Sequence, residues 1–345
     1  MTDLKLFTAE RFITESGFEL IKPQIAYHTW GTLNENRDNV LLVCHAFSGN
    51  SDVKAWFPGL FNENSIYNPE EHFLICINNP ASCYGSVDPW SINPETNKPY
   101  QADFPVFSIR DIVRFQQIIL DELDIKGIEI VLGPSMGGMI ALEFAIMDDR
   151  IKRGCFMGMG KSHNPWAIAI GHSQRMAIYA DENWNNGWYE PENPPVKGLA
   201  AARAMAMVSY RTPQNYLQKF GRNKNKTKDI FEVESYLDYQ GRKLVDRFDA
   251  LTYVLLTKSM DTHDVSRDRG SFEEVLGNLT IPVLILGMDS DVLYPTNEQQ
   301  ELADLIPNAQ YDELQSPYGH DAFLIEFDQL NEHLNAFFEK TKAVI

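Results

Sequence analysis

Gly133-Pro134-Ser135-Met136-Gly137 places a serine inside a Gly-x-Ser-x-Gly turn. The apolar run Ile128–Leu132 precedes it, and the apolar, helix-compatible segment Met139–Ala145 follows. Strand, sharp turn and helix in that order form a nucleophile elbow, which lifts the serine hydroxyl to the end of a sheet. The glycines leave room in a turn that a side chain would crowd. The helix that begins there aims its first backbone N–H groups at whatever the serine attacks. The context predicts nucleophilic catalysis at Ser135; the pentapeptide alone would also describe a plain tight turn.

A serine hydroxyl attacks only when a base takes its proton, and an acid must orient that base. Around such an elbow the acid and then the histidine follow the serine along the chain. Of the eight histidines, only His320 and His333 lie beyond the strand-like Ile281–Leu286. His333 falls in the amphipathic Phe327–Phe338 and reads as a surface residue. His320 falls in the turn-rich Ser316–Asp321, after the strand-like Gln310–Leu314, and is the predicted base. The acid belongs just past a strand end, where Gly287-Met288-Asp289-Ser290-Asp291 offers two carboxylates. Asp291 is the predicted acid, while Asp289 is suited to hold the turn through its own backbone. A second oxyanion donor belongs on a loop after an early strand. His45-Ala46-Phe47-Ser48-Gly49 follows Val40–Cys44. The Phe47 and Met136 N–H groups are therefore expected to face the developing oxyanion, each worth about 3 kcal/mol. His45 precedes the nucleophile and reads as a structural residue that fixes its loop.

These groups need a scaffold that brings distant loops to one edge. Val40–Cys44, Phe73–Ile77, Ile128–Leu132, Gly154–Met159 and Pro282–Leu286 are short apolar runs bounded by turn residues. They read as strands buried on both faces, as in a parallel sheet. Helical patterns lie between them; Ser108–Ile125 carries one apolar stripe, with Ser108 placed to cap it. Strands alternating with helices predict an α/β fold, here the α/β-hydrolase fold with a mostly parallel sheet flanked by helices. From about Ser162 to Arg269 the strand pattern stops and amphipathic segments such as Gly198–Ser209 and Asp229–Asp246 take over. The expected organisation is a core of residues 1–161 and 271–345 with a helical lid inserted at 162–270. Insertions on the loop side of a sheet commonly cover the site.

Composition excludes several classes. Of 345 residues 44% are hydrophobic and 23% charged, which is ordinary for a globular protein with ample core. The net charge of −18 argues against nucleic-acid binding, which wants a basic face. Cys44, Cys76, Cys83 and Cys155 have no zinc-ligand spacing, so no metal is expected. They read as buried reduced thiols, which fits a cytoplasmic protein. Met1-Thr2-Asp3-Leu4-Lys5 lacks the basic head and apolar stretch of a signal peptide. No apolar run approaches bilayer-spanning length, so no membrane partner is expected.

Beyond these elements, the chain resembles the α/β-hydrolase-type homoserine O-acyltransferases over nearly its whole length. His45-Ala46-Phe47-Ser48-Gly49 is similar to the family's His-Ala-Leu-Thr-Gly, and Cys83-Tyr84-Gly85-Ser86 to its Cys-Tyr-Gly block. Ser135-Met136-Gly137-Gly138-Met139, Phe220-Gly221-Arg222 and Val233-Glu234-Ser235-Tyr236-Leu237 also match, as do Arg247-Phe248-Asp249-Ala250 and Asp261-Thr262-His263-Asp264-Val265. Ser290-Asp291-Val292-Leu293-Tyr294-Pro295 and Gly319-His320-Asp321 close the series. The resemblance implies ping-pong transfer of an acetyl group from acetyl-CoA, through acyl-Ser135, to the side-chain hydroxyl of L-homoserine. The product would be O-acetyl-L-homoserine for methionine synthesis. It also implies that Arg222 and Asp321 hold the amino acid's carboxylate and ammonium groups, as their charges suit. Tyr236 would line the pocket. No permanently bound cofactor is implied, and a homodimer is.

Several blocks depart from the family pattern. Asn79-Pro80-Ala81-Ser82, Val87-Asp88-Pro89, Pro134, Phe47, Ser48 and Gly171-His172-Ser173 replace other residues around the expected pocket. They leave open a succinyl donor or an L-serine acceptor. A serine esterase or thioesterase, with water as acceptor, would use the same three residues. A degenerate binding module would be expected to have lost one of them.

Overall fold

The structure is a computed structural model that describes residues 3–342; Met1 and Thr2, from the N-terminal stretch read above, lie outside it. The chain opens with β1 (Lys5–Thr8), β2 (Arg11–Ile13), β3 (Glu19–Ile21), β4 (Gln24–Gly31) and β5 (Val40–Val43). A short α1 (Val53–Trp56) leads to β6 (Phe73–Ile77) and a small hairpin, β7 (Ile92–Asn93) and β8 (Lys98–Pro99). Then come α2 (Ile109–Glu122), β9 (Ile128–Pro134), α3 (Met136–Met147) and β10 (Gly154–Met157). Five helices follow: α4 (Pro165–Tyr179), α5 (Val196–Tyr210), α6 (Pro213–Phe220), α7 (Glu232–Val245) and α8 (Ala250–Asp261). The chain returns through α9 (Phe272–Gly277), β11 (Val283–Met288), α10 (Thr296–Leu305), β12 (Ala309–Leu314) and α11 (Phe327–Thr341).

Eight strands form one sheet in the order β1-β4-β6-β5-β9-β10-β11-β12. From β6 to β12 every pairing is parallel, and β4 and β1 close one edge antiparallel. This is the α/β-hydrolase architecture. Every residue of β5, β6, β10 and β11 is buried, as strands covered by helices on both faces must be. Strand β10 stops two residues short of the apolar run that predicts it, because Gly158 turns to φ +59°. Ser108 caps α2 in a reciprocal box with Asp111, as the sequence predicts.

The parallel order decides where function falls. The C-terminal ends of β5, β9, β10 and β11 lie side by side, so the loops that follow them meet at one edge. The helices α4 to α8 all fall between β10 and β11 in the chain. Three of the cysteines are buried and Cys83 is half-buried, and all four are free. Among the described residues no helix is long and apolar enough to cross a membrane.

Candidate active site

Ser135 stands between β9 and α3 at φ 54°, ψ −124°, a backbone conformation that L side chains rarely adopt. The turn tolerates it because both flanking glycines lack side chains. A Cβ on Gly137 would lie 2.1 Å from the Cys44 carbonyl oxygen, and one on Gly133 would lie 2.4 Å from the Gly137 carbonyl carbon. Such strain marks functional positions, where the surrounding structure holds it in place.

His320 Nδ1 lies 2.7 Å from Asp291 Oδ2, and its Nε2 lies 2.9 Å from Ser135 Oγ. A carboxylate only accepts, so Nδ1–H donates to Asp291 and Nε2 is left to accept from the serine hydroxyl. The other Asp291 oxygen accepts the backbone N–H groups of Leu293 at 2.7 Å and Tyr294 at 3.1 Å, which fixes the carboxylate. All three residues are buried. Burial works against a charged His320 ring, and the Asp291 carboxylate more than offsets it, so the histidine's pKa is raised.

Asp289 does not hold its own turn. It accepts the Ser316 N–H at 2.9 Å, across to the loop that carries the histidine. Ser290 adds to this staple by donating to the Ser316 carbonyl at 2.5 Å and accepting the Gly319 N–H at 3.0 Å. These two residues position the histidine loop, a role that the sequence reading assigned to neither. His333 lies away from the site on α11, half-buried, 3.6 Å from Asp312.

Phe47 and Met136 are buried beside this chain of bonds, and among the described residues neither backbone N–H has an acceptor. Two unpaired N–H groups in a buried site are what an oxyanion would satisfy. His45 fixes the Phe47 loop. Its Nδ1 donates to the Ala46 carbonyl at 2.9 Å and its Nε2 accepts the Asn79 N–H at 3.0 Å. Burial pushes its pKa down to about 4, so it is neutral and structural.

A cavity of about 30 Å³ opens on Ser135. Phe47, Ala167, Ile170, Gly171, Tyr210, Met260 and Leu293 line it, so α4, α5 and α8 roof the serine. The charged residues expected around it are arranged differently from the sequence reading. Arg222 is exposed, with its guanidinium 5.4 Å from the Phe231 ring, and it forms no ion pair with Asp321. Arg211 does: its Nη2 lies 3.0 Å from Asp321 Oδ2. Burial raises the Asp321 pKa, and Arg211 pulls against that rise. Tyr236 is half-buried against Phe220, ring centroids 5.0 Å apart. Burial raises its hydroxyl pKa, with the Arg211 and Asp321 charges acting in opposite directions. Arg211 had one signal in the sequence: it falls in Tyr210-Arg211-Thr212-Pro213, a junction where Thr212 caps the next helix and Pro213 starts it.

The chain matches the α/β-hydrolase fold family model over residues 39–327. It is 49% identical to the homoserine O-acetyltransferase of Chlorobium chlorochromatii over 96% of this chain and 94% of that one. A crystal structure of homoserine O-acetyltransferase from Bacillus anthracis superposes with a TM-score of 0.91 at 26% identity, covering 98% of both chains. An acetylester hydrolase from Corynebacterium glutamicum shares the fold at a TM-score of 0.87 and 22% identity, covering 98% of this chain and 96% of that one. Fold and sequence likeness thus define an enzyme of the α/β-hydrolase fold. Within that class, the chain belongs to the homoserine O-acetyltransferase family, whose members are acyltransferases.

Proposed function

We propose that this enzyme moves an acetyl group from acetyl-CoA to the side-chain hydroxyl of L-homoserine through an acetyl-Ser135 intermediate. The observation that carries it is the unbroken Ser135–His320–Asp291 hydrogen-bond chain beside two free backbone N–H groups. His320 takes the Ser135 proton as Oγ attacks the thioester carbonyl carbon. The oxyanion forms against the Phe47 and Met136 N–H groups. The C–S bond breaks, and His320 returns the proton to the departing thiolate. His320 then takes the homoserine hydroxyl proton as that oxygen attacks acetyl-Ser135. The serine leaves with the proton, and O-acetyl-L-homoserine is released, the form in which homoserine enters methionine synthesis.

Arg211 and Asp321 suit the acceptor's carboxylate and ammonium groups, which would part the pair they now form. Tyr236 borders them. Arg222 has no part in this reading. An acetyl donor suits the small cavity, which holds about two water-sized groups. Acyl-CoA and homoserine are both substrates, and no resident cofactor or metal is invoked. The proposed working form is a cytoplasmic homodimer.

The test is thiol release by purified protein, with acetyl-CoA or succinyl-CoA crossed against L-homoserine, L-serine or no acceptor. Release only with acetyl-CoA and L-homoserine is expected. A winning succinyl or serine combination would keep the mechanism and replace the substrate. Equal release without acceptor would make the enzyme a thioesterase.

A further inference from the structure

Gly171 sits in the middle of α4, is buried, and lines the cavity over Ser135. Glycine inside a helix is less stable than alanine, because the unfolded chain has more freedom to lose. Helix glycines commonly offset this by letting another backbone approach. Gly198 and Gly241 do so here. A Cβ on Gly198 would lie 2.7 Å from Ile178 Cα, and one on Gly241 would lie 2.9 Å from the Ala200 carbonyl oxygen. Gly171 has no such neighbour. A Cβ there would have only Arg175 Nη1 in reach, at an ordinary contact distance of 3.6 Å. Its φ is not left-handed either. Neither packing nor conformation demands glycine at this position, and the missing side chain leaves space beside the nucleophile.

The wall of that space mixes apolar and polar side chains. Ala167, Ile170, Met260 and Leu293 supply apolar surface. Several polar groups on its wall are engaged with one another: Gln174 Oε1 accepts the Tyr253 hydroxyl at 2.9 Å, Thr257 donates to the Val254 carbonyl at 2.8 Å, and the Tyr294 hydroxyl lies 3.1 Å from His163 Nδ1, while Tyr210 also lines the space. Among the described residues Arg175 Nη1 has no acceptor, while Asp261 lies 2.8 Å from Nη2. A cavity of about 30 Å³ has room for the methyl end of a short acyl group and not for an amino acid. We infer that Gly171 forms part of the roof of the acyl pocket: its missing side chain holds open the space for the methyl group of acetyl-Ser135. This inference rests on the acyl-Ser135 reading.

Gly171→Ala tests it, because a structural glycine and a space-holding glycine respond with opposite signs. The thermal midpoint should stay level or rise by about 1–2 °C, as alanine favours the helix. The burst of thiol release from acetyl-CoA without acceptor should slow at least about tenfold, since an added methyl competes for the acyl group's space. The KM for L-homoserine should stay within about twofold. A lowered midpoint would make Gly171 structural and overturn the inference. So would an unchanged burst, or a raised homoserine KM beside an unchanged burst, which would assign the cavity to the acceptor. A wild type with no burst from any thioester would remove the acyl-Ser135 reading, and this inference with it; every other outcome leaves that reading standing.

Discussion

In the proposed mechanism Ser135, His320 and Asp291 divide their work by charge. His320 must be neutral to take a proton, and its pKa lies above the ordinary value of 6.5 because Asp291 outweighs the effect of burial. Activity should therefore fall as pH drops through that raised value. Asp291→Asn removes the attraction and leaves burial, which favours the neutral ring. The acid limb of kcat/KM should move to lower pH, while the plateau drops by about 10⁴-fold. A limb that stays in place would mean that another group controls it. Arg211 and Arg222 separate equally cleanly. Arg211→Ala removes a charged partner from a buried site, and should raise the KM for L-homoserine by about 10- to 100-fold. Arg222→Ala, on an exposed loop, should leave it within about twofold. Saturation curves for the two variants decide between them, and the opposite ranking would restore Arg222 to the site.

The elbow is the element whose geometry the sequence specifies most tightly. Gly137→Ala would set a methyl group 2.1 Å from the Cys44 carbonyl, backbone against backbone, with no flexible atom to yield. Stability should drop by about 1–3 kcal/mol or more, with loss of thiol release; an unchanged denaturant midpoint would show that the turn can relax. The strand, turn and helix around Ser135 were legible because each carries a local signal: an apolar run, two glycines, a second apolar run. The strands β5, β6, β9, β10 and β11 were legible because burial on both faces leaves a continuous apolar string. The antiparallel edge was not. In β4, Gln24 and Gly31 are exposed and His28 half-buried, so polar residues break the run. The His320 loop was legible in its end point and not in its supports. Asp289 and Ser290 act on Ser316 and Gly319, more than 25 residues away, and spacing within one loop cannot show a partner on another. Arg211 and Arg222 show the same limit, since both flank one short helix and only packing decides which meets Asp321.

The molecule as a whole leaves large apolar side chains exposed on the helices between β10 and β11. Trp166, Met176, Tyr179, Met205, Val208, Leu217 and Tyr239 are exposed, and all fall on α4 to α7. Val208 and Met176 are each 56% exposed, and Leu217 69%. Leu4, Leu6, Ile13 and Ile21 are exposed near the N-terminus as well, but the side chains on α4 to α7 form a run that a covering surface would remove from water. Against this stands a charge of −18 per chain, which makes two copies repel. A homodimer through these helices would bury the apolar face and would tighten as salt screens the repulsion. Light scattering coupled to gel filtration should give twice the 39.4 kDa chain mass for the wild type. Met205→Asp with Val208→Asp adds buried charge to each side of such an interface, and should return the chain mass with the thermal midpoint of the monomer fold retained. A wild type that runs as a monomer at micromolar concentration and in high salt would remove the dimer. The helices over Ser135 would then carry their apolar face into water, and the acyl pocket would depend on a roof held by one chain alone.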